Sequence, residues 1–300
     1  MNRFVMHISW VDSKMVYETL NSIQNALQYS KVTTEFILLL NEQTLLDDNP
    51  IIPPNETWDE FLCHPMISRC KILRVTNKDE LFGISKFYRD YYNKDGLTYW
   101  GECDCYLPIE FFYINESFQN EYKNRPYVLT FANRKMWSGW EIIEHPLAAS
   151  GSLSETDKNY LDKNDPEKNF LRLDGPMSIR QLYKFNNQQG NPEIVMLPTS
   201  RIEGTLCTLS DGMPKNLLCP NNIFSHGDYN LELSMKYYNI PQFHVKNLIK
   251  GHDQCNPNKR SNIIGKSITS DRSTNVKNQM DKDKKAMHDW IQKLYNGELK

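Results

Sequence analysis

The stretch Gly101-Glu102-Cys103-Asp104-Cys105-Tyr106-Leu107-Pro108 sets two carboxylates two residues apart, directly after the apolar segment Leu97 to Trp100. If the segment stays extended, Glu102 and Asp104 point to one side, where they can share a divalent cation with the oxygens of a diphosphate. The bland reading is a solvated strand end. Another carboxylate, Asp228, stands where Leu231, Met235 and Tyr238 begin to recur at helical steps. Negative charge is favoured at a helix start, so this aspartate serves either as an N-cap or as a proton acceptor. His252, in Lys250-Gly251-His252-Asp253, and His244, after Gln242-Phe243, are candidate metal ligands, and each reads equally well as a hydrogen-bonded structural histidine. Cys103 and Cys105 flank Asp104, but two thiols without two further clustered ligands read as strand filler.

For these groups to meet, the chain must build a sheet that delivers them to one edge. Strand and helix signals alternate through the first hundred residues, the pattern of an α/β fold. Phe4 to Ile8 predicts a buried strand, and Val16, Leu20, Ile23 and Leu27 predict one face of a helix packed on it. Thr33 to Leu40 predicts a central parallel strand that stops at Asn41-Glu42-Gln43-Thr44. Polar residues at the carboxyl end of such a strand sit where open α/β sheets bind ligands. A short strand near Lys71 to Val75 follows, then a helix with Ile84, Phe87, Tyr88 and Tyr91 on one face. Leu97 to Trp100 leads into the acidic segment, Pro108 into the next helix, and Tyr127 to Phe131 predicts a further strand. Residues 150 to 192 are polar, as in an exposed insertion or lid. Arg201-Ile202-Glu203-Gly204-Thr205 and Ser210-Asp211-Gly212 predict a flexible loop over bound ligand. Near the end, Met287, Trp290, Ile291 and Leu294 form one stripe of a helix expected to dock on the main domain, while Lys282, Lys284 and Lys285 beside Asp281 and Asp283 read as a solvated face.

With 300 residues, 39% hydrophobic and 12% aromatic, the chain can bury one large core or two intimate ones. A formal net charge of -2 supplies no global field for nucleic acid or anionic membrane, so partners have to be argued from sites. Met1-Asn2-Arg3 runs straight into Phe4-Val5-Met6, unlike a secretion signal. The longest apolar run, Phe36 to Leu40, is far short of the roughly 20 residues that cross a bilayer, so no membrane insertion is expected. Seven cysteines without C-x-x-C spacing predict reduced thiols in a cytoplasmic compartment.

Taken in order, these segments resemble the GT-A glycosyltransferases, of the inverting, family-two-like kind, over roughly residues 1 to 255. The resemblance implies a mostly parallel α/β sheet flanked by helices, with a C-terminal helical arm. It implies a catalytic domain over 1–258, with a donor half over about 1–110 and an acceptor half over about 111–258, and a linker and helix over 259–300. Glu102-Cys103-Asp104 takes the place of the family's acidic D-x-D, which implies Mn²⁺ or Mg²⁺ held by Asp104 and His252. Ser9 and Asp12, in Ile8-Ser9-Trp10-Val11-Asp12, fall where the family binds base and ribose, with Asn41 beside them after the second strand. Gly83-Ile84-Ser85-Lys86-Phe87-Tyr88-Arg89-Asp90 resembles the helix that carries a basic residue to the nucleotide, Arg89 closer to the pattern than Lys86. Ser225-His226-Gly227-Asp228-Tyr229-Asn230-Leu231-Glu232-Leu233 resembles the x-E-D motif, which makes Asp228 the catalytic base and puts Gly227 where the family has glutamate, on the acceptor side.

The implied reaction is an inverting transfer from a nucleotide-diphosphate sugar, a UDP-sugar being the expected donor, to an acceptor hydroxyl. Trp137-Ser138-Gly139-Trp140 suits the acceptor, because indole faces match the apolar faces of sugar rings; core packing is the other reading of Trp137 and Trp140. The acceptor is a glycan, a protein or a modified nucleic acid, the last because the basic segment around Lys259-Arg260 could follow phosphates. A nucleotidyltransferase would carry a glycine-rich loop after the first strand, and Ile8 to Lys14 contains no glycine. A non-catalytic carbohydrate- or nucleic-acid-binding protein stays open, since Glu102 and Gly227 both depart from the family pattern.

Overall fold

The structure, a computed structural model, describes residues 1–9, 13–41, 61–75, 91–135, 143–144, 179–188, 190–198, 202, 206–214, 217, 227–252 and 274–299. One sheet runs through them: β1 (Asn2–Ser9), β2 (Thr34–Asn41), β3 (Cys70–Val75), β4 (Thr98–Glu102), β5 (Cys105–Tyr106), β6 (Val128–Lys135), β7 (Ile143–Glu144), β8 (Ile194–Met196), β9 (Leu206–Leu209) and β10 (Gln242–His252). The strand order is β3-β2-β1-β4-β9-β6-β10-β5, with β7 added to β6 and β8 to β10. The helices are α1 (Ser13–Leu27), α2 (Phe111–Glu121), α3 (Ile179–Asn186), α4 (Gly227–Tyr238) and α5 (Thr274–Tyr295).

The four strands β3, β2, β1 and β4 are parallel, with β2 in the interior position that its continuous apolar run predicts. Alternation splits each run between two faces: Phe4 and Met6 join Phe36 and Leu38 on one, and Val5 joins Ile37 and Leu39 on the other. The expected strands and first helix are present, most ends moved by one or two residues and β6 running on to Lys135, past its expected end at Phe131, and Val16, Leu20 and Ile23 are all buried. Beyond β4 the sheet mixes directions. β9 is antiparallel to both β4 and β6, β10 is parallel to β6, and β5 is antiparallel to β10. Pro108 does not open the next helix; its carbonyl accepts the N–H of Phe111, the first residue of α2.

The connection from β4 to β5 fixes the shape of this second half. Glu102 ends β4 and Cys105 begins β5, three residues on, a span of at most about 10 Å. In a flat sheet β5 would stand four strand spacings away, roughly 19 Å, because β9, β6 and β10 lie between. The late halves of β6 and β10 therefore fold back over the end of β4. β10 carries an irregularity that permits this: its pairing with β6 slips between Val245 and Ile249.

Helices cover both faces. α1 and α2 pack with Phe111, Phe112 and Phe118 into the larger core, where Tyr99 meets Phe111 and Phe112 at ring-centroid distances of 5.3 and 5.2 Å. On the other face Leu231 and Met235 of α4 join Trp100, Val128, Cys207 and Leu209. The terminal stripe docks as expected: Met287, Trp290, Ile291 and Leu294 of α5 bury themselves against Tyr229, Leu233 and Tyr237 on the outer side of α4. Among the described residues no helix is long and apolar enough to cross a membrane. Of the polar stretch 150–192, residues 179–186 form α3, whose Leu182 is buried, and residues 150–178 lie outside the described residues.

Candidate functional site at the carboxyl edge

β4 carries the acidic segment to the edge. Trp100 and Glu102 face the α4 side, while Tyr99 and Gly101 face the larger core. A Cβ on Gly101 would lie 2.9 Å from Cζ of Phe4, so glycine is what lets the Phe4 ring cross the strand there. The extended arrangement expected of Glu102 and Asp104 does not occur. β4 stops at Glu102, and Cys103 and Asp104 make the turn into β5. β5 pairs with β10 and does not continue β4, so the two carboxylates are consecutive features of an edge and not same-side residues of one strand. Asp104 is buried, at 1% exposure, and Glu102 is partly exposed. Cys105 is fully buried in the larger core, the filler role expected of it.

α1 clamps the turn. The Thr19 hydroxyl donates to the carbonyl of Cys103 at 2.5 Å; the Ser22 hydroxyl accepts the N–H of Leu107 at 3.0 Å and donates to the carbonyl of Thr19. Sequence reasoning passed over Thr19 and Ser22. The signal was available, since they fall among Val16, Leu20 and Ile23 on the apolar face of the helix, where a hydroxyl has to find a partner.

His252 comes to the same place by a different route. It ends β10 and pairs in register with Cys105, so its backbone lies one residue from Asp104 in the ladder. Its side chain lies outside what is described. Gly251 pairs with Tyr106, and a Cβ there would sit 3.2 Å from the tyrosine ring, which keeps the two strands close. Asn186 of α3 occupies the outer edge of β10 between the strands β8 and β5: its amide NH₂ donates to the Ile249 carbonyl at 3.0 Å and its carbonyl accepts the Ile249 N–H at 2.9 Å. Lys250 is fully buried two residues before His252. His244, the other metal candidate, is on the same strand but at its opposite end, buried with Nδ1 3.0 Å from the Thr130 hydroxyl. It is a structural histidine, too far along the strand to meet Asp104.

α4 brings the remaining carboxylate. Its C-terminal end leads within a few residues into β10, and Pro241 accepts the N–H of Val128, the first residue of β6. The helix thus ends at the amino edge of the strands. Twelve residues of α-helix span about 18 Å, which returns the first turn toward the carboxyl edge, on the face shared by Trp100 and Glu102. Asp228 lies inside that first turn, half-buried, with Oδ1 accepting the N–H of Tyr229 at 2.9 Å; Gly227 is the first helical residue. One turn on, Glu232 accepts the backbone N–H of Ile202 at 2.7 Å, tying the helix to the segment before β9.

The other candidates divide by place. Ser9 and Asn41 end β1 and β2 and pair with each other, and His7, two residues before Ser9, pairs with Glu102, so all belong to one row of strand ends. Their side chains, apart from that of Glu102, are outside what is described, as are Asp12, Lys86, Arg89, Trp137 and Trp140 altogether. The expected loop over the ligand splits in two. Residues 203–205, themselves outside the described residues, immediately precede β9, whose Leu206 pairs with Gly101 at the carboxyl edge. Ser210-Asp211-Gly212 lies at the amino edge instead, because β9 runs antiparallel and ends opposite Thr98. It is held firmly there: Ser210 accepts the Tyr92 hydroxyl at 2.7 Å, Asp211 accepts the Asn124 N–H at 3.2 Å, and a Cβ on Gly212 would meet the Arg125 backbone at 2.7 Å. Burial pushes the Tyr92 hydroxyl up to about 12, which keeps it a donor in that bond.

No family profile matches the chain, and no curated protein matches it in sequence. Among solved structures it is similar to TarS of S. aureus, at 12% identity over 84% of this chain and 35% of that one, with a TM-score of 0.43. GalNAc-T7 with UDP, GalNAc and Mn²⁺ is similar at 12% identity over 84% and 44%, with a TM-score of 0.49. The galactosyltransferase LgtC in complex with donor and acceptor sugar analogs is similar at 5% identity over 70% and 58%, with a TM-score of 0.33. The chain thus spans between about a third and three fifths of the length of these structures.

Proposed function

We propose that this chain is a metal-dependent, inverting glycosyltransferase of the GT-A type that transfers a sugar from a UDP-sugar to an acceptor hydroxyl. The observation that supports this reading is the convergence on one edge: the Asp104 turn, the end of the His252 strand and the first turn of α4 with Asp228. In this reading the ends of β1 and β2, with Ser9 and Asn41, take the nucleoside, joined by Asp12 and Arg89. Asp104 and His252 would hold Mn²⁺ or Mg²⁺, with Glu102 beside them. A carboxylate and an imidazole suit such a cation, and the oxygens of the donor diphosphate would supply further ligands. When bound, the cation offsets negative charge on the leaving diphosphate.

The protein's own part is then positioning and proton transfer. Thr19 and Ser22 fix the backbone on either side of Asp104, which holds the base of the carboxylate side chain in place at the edge. Asp228 accepts the acceptor hydroxyl's proton as that oxygen attacks the anomeric carbon, from the face opposite the departing UDP. Trp137, Trp140 and Gly227 would line the acceptor side.

Calorimetric titration with a panel of UDP-sugars, with and without Mn²⁺, followed by hydrolysis and transfer assays, tests the reading. Asp104→Ala should abolish Mn²⁺-dependent donor binding, and Asp228→Asn should leave donor binding intact while transfer falls by about 10²-fold or more. Full transfer by Asp228→Asn removes the base assignment, and donor binding indifferent to both Mn²⁺ and Asp104 removes the metal site.

A further inference from the structure

At the amino edge of the strands, opposite the site just described, lies a surface groove that the proposed reaction does not use. Its larger part, about 460 Å³, is lined by Leu27, Ser30, Lys31, Thr34 and Arg69 among others. A smaller part, about 130 Å³, continues past Tyr113, Ser117, Gln119 and Asn120 on α2. Lys31 and Val32 line both, so the two parts adjoin at the connection between α1 and β2 and count together as one trough.

Its chemistry is specific in three respects. First, the walls mix hydroxyl and amide side chains, among them Ser30, Thr34, Ser117, Gln119 and Asn120, with apolar ones, and the groove is of the size of a small-ligand site. Second, an aromatic ring is laid open in it: Tyr113 is 45% exposed in the wall of the smaller part. An exposed ring flanked by hydroxyls and amides matches a sugar, which offers apolar C–H faces and a rim of hydroxyls. Third, the charge is uneven. Lys31 and Arg69 are both exposed, whereas Glu116, the carboxylate of the trough, is buried and already accepts the Ser30 hydroxyl at 2.6 Å and the Lys31 N–H at 2.8 Å. The Lys31 ammonium stands 5.2 Å from the Tyr113 ring centroid, which places a cation and an exposed ring side by side.

We propose that this trough is a second saccharide-binding site, for a glycan chain bearing carboxylate, sulfate or phosphate groups, with Tyr113 as the ring platform and Lys31 and Arg69 as the anion contacts. Glu116 holds the segment that carries Lys31 and does not itself bind ligand. The site is independent of the transfer reaction, so it stands or falls separately from it.

Heteronuclear NMR titration of the full chain with a hyaluronan tetrasaccharide, a neutral maltotetraose and a short oligothymidylate tests this directly. Hyaluronan tetrasaccharide should shift amides around Lys31, Tyr113 and Asn120, and maltotetraose should bind at least about tenfold more weakly. Tyr113→Ala and Lys31→Gln, both at exposed positions where folding is not at stake, should each weaken binding by about tenfold and leave UDP-sugar binding at the opposite edge unchanged. The proposal is overturned if neither saccharide binds, if binding survives both substitutions, or if oligothymidylate alone binds there, which would make the trough a nucleic-acid contact.

Discussion

Gly101 and His64 show how much a single position carries in this protein. Gly101 is the one place on β4 where Phe4 can cross, and Phe4 itself packs against Phe36, Tyr99 and Phe112. Gly101→Ala should therefore cost about 1–3 kcal/mol through overpacking, read as a lower urea midpoint, and should disturb the acidic turn that begins one residue later. An unchanged midpoint would mean that the ring moves aside freely. His64 bridges two elements: Nδ1 accepts the N–H of Met66 and Nε2 faces Asn21 Oδ1 on α1, each at 3.0 Å. An acceptor Nδ1 requires the neutral ring, and burial lowers the group from its ordinary value of 6.5. Below that value the unfolded chain takes up the proton before the folded one does, so stability rises with pH through this range and is lost as pH falls. Denaturation midpoints should thus decline from about pH 7 to about pH 5, and His64→Gln should flatten that decline.

Among the elements, β10 is the most constrained. Asn186 presents to Ile249 the same donor and acceptor that a neighbouring strand would, at the point where β8 has ended and β5 has not begun. Asn186→Ala leaves two buried backbone groups without partners, a loss of about 1–3 kcal/mol for each group left unmatched. Mn²⁺ affinity measured by calorimetry should weaken with it, because His252 follows three residues later, whereas Asn186→Ala with unaltered metal affinity would separate the bulge from the site. The elements that were legible in the sequence are those with a local cause. β1, α1, β2, β3 and α4 each announce themselves by periodicity within a dozen residues, and so does the stripe Met287, Trp290, Ile291 and Leu294. The antiparallel insertion of β9, the pairing of β5 with β10 and the slip after Val245 depend on residues far apart in the chain, and no local pattern encodes them. The same division explains the candidate site. Asp104, Asp228 and His252 stand out in the sequence by type and context, and what the structure adds is the placement of Asp104 beside the end of β10; the extended conformation expected for Glu102 to Asp104 failed, because it depends on a strand that arrives more than a hundred residues later.

At the scale of the whole molecule, α5 acts as an outer layer on α4 and so supports the first turn that carries Asp228. Tyr229, next to Asp228, packs into the α5 contact, and its hydroxyl lies 3.3 Å from Nε2 of His288. Trp290, only 6% exposed, anchors the contact. Trp290→Ala should lower stability by about 3 kcal/mol in chemical denaturation. If α5 were a passive appendage, the main unfolding transition would stay where it is.

The closure of β5 on β10 also dictates an order of events during biosynthesis. Almost half of the chain is translated between Asp104 and His252. At ordinary ribosomal speeds that interval lasts roughly seven to thirty seconds. Throughout it β1, β2 and β4 can already pair while Cys105 and Tyr106 wait for a strand that does not yet exist. A nascent chain released before β10 emerges carries its acidic turn on an open ladder, so the edge where Asp104 meets the end of β10 is the last part of the sheet to mature and the part most dependent on the chain being finished.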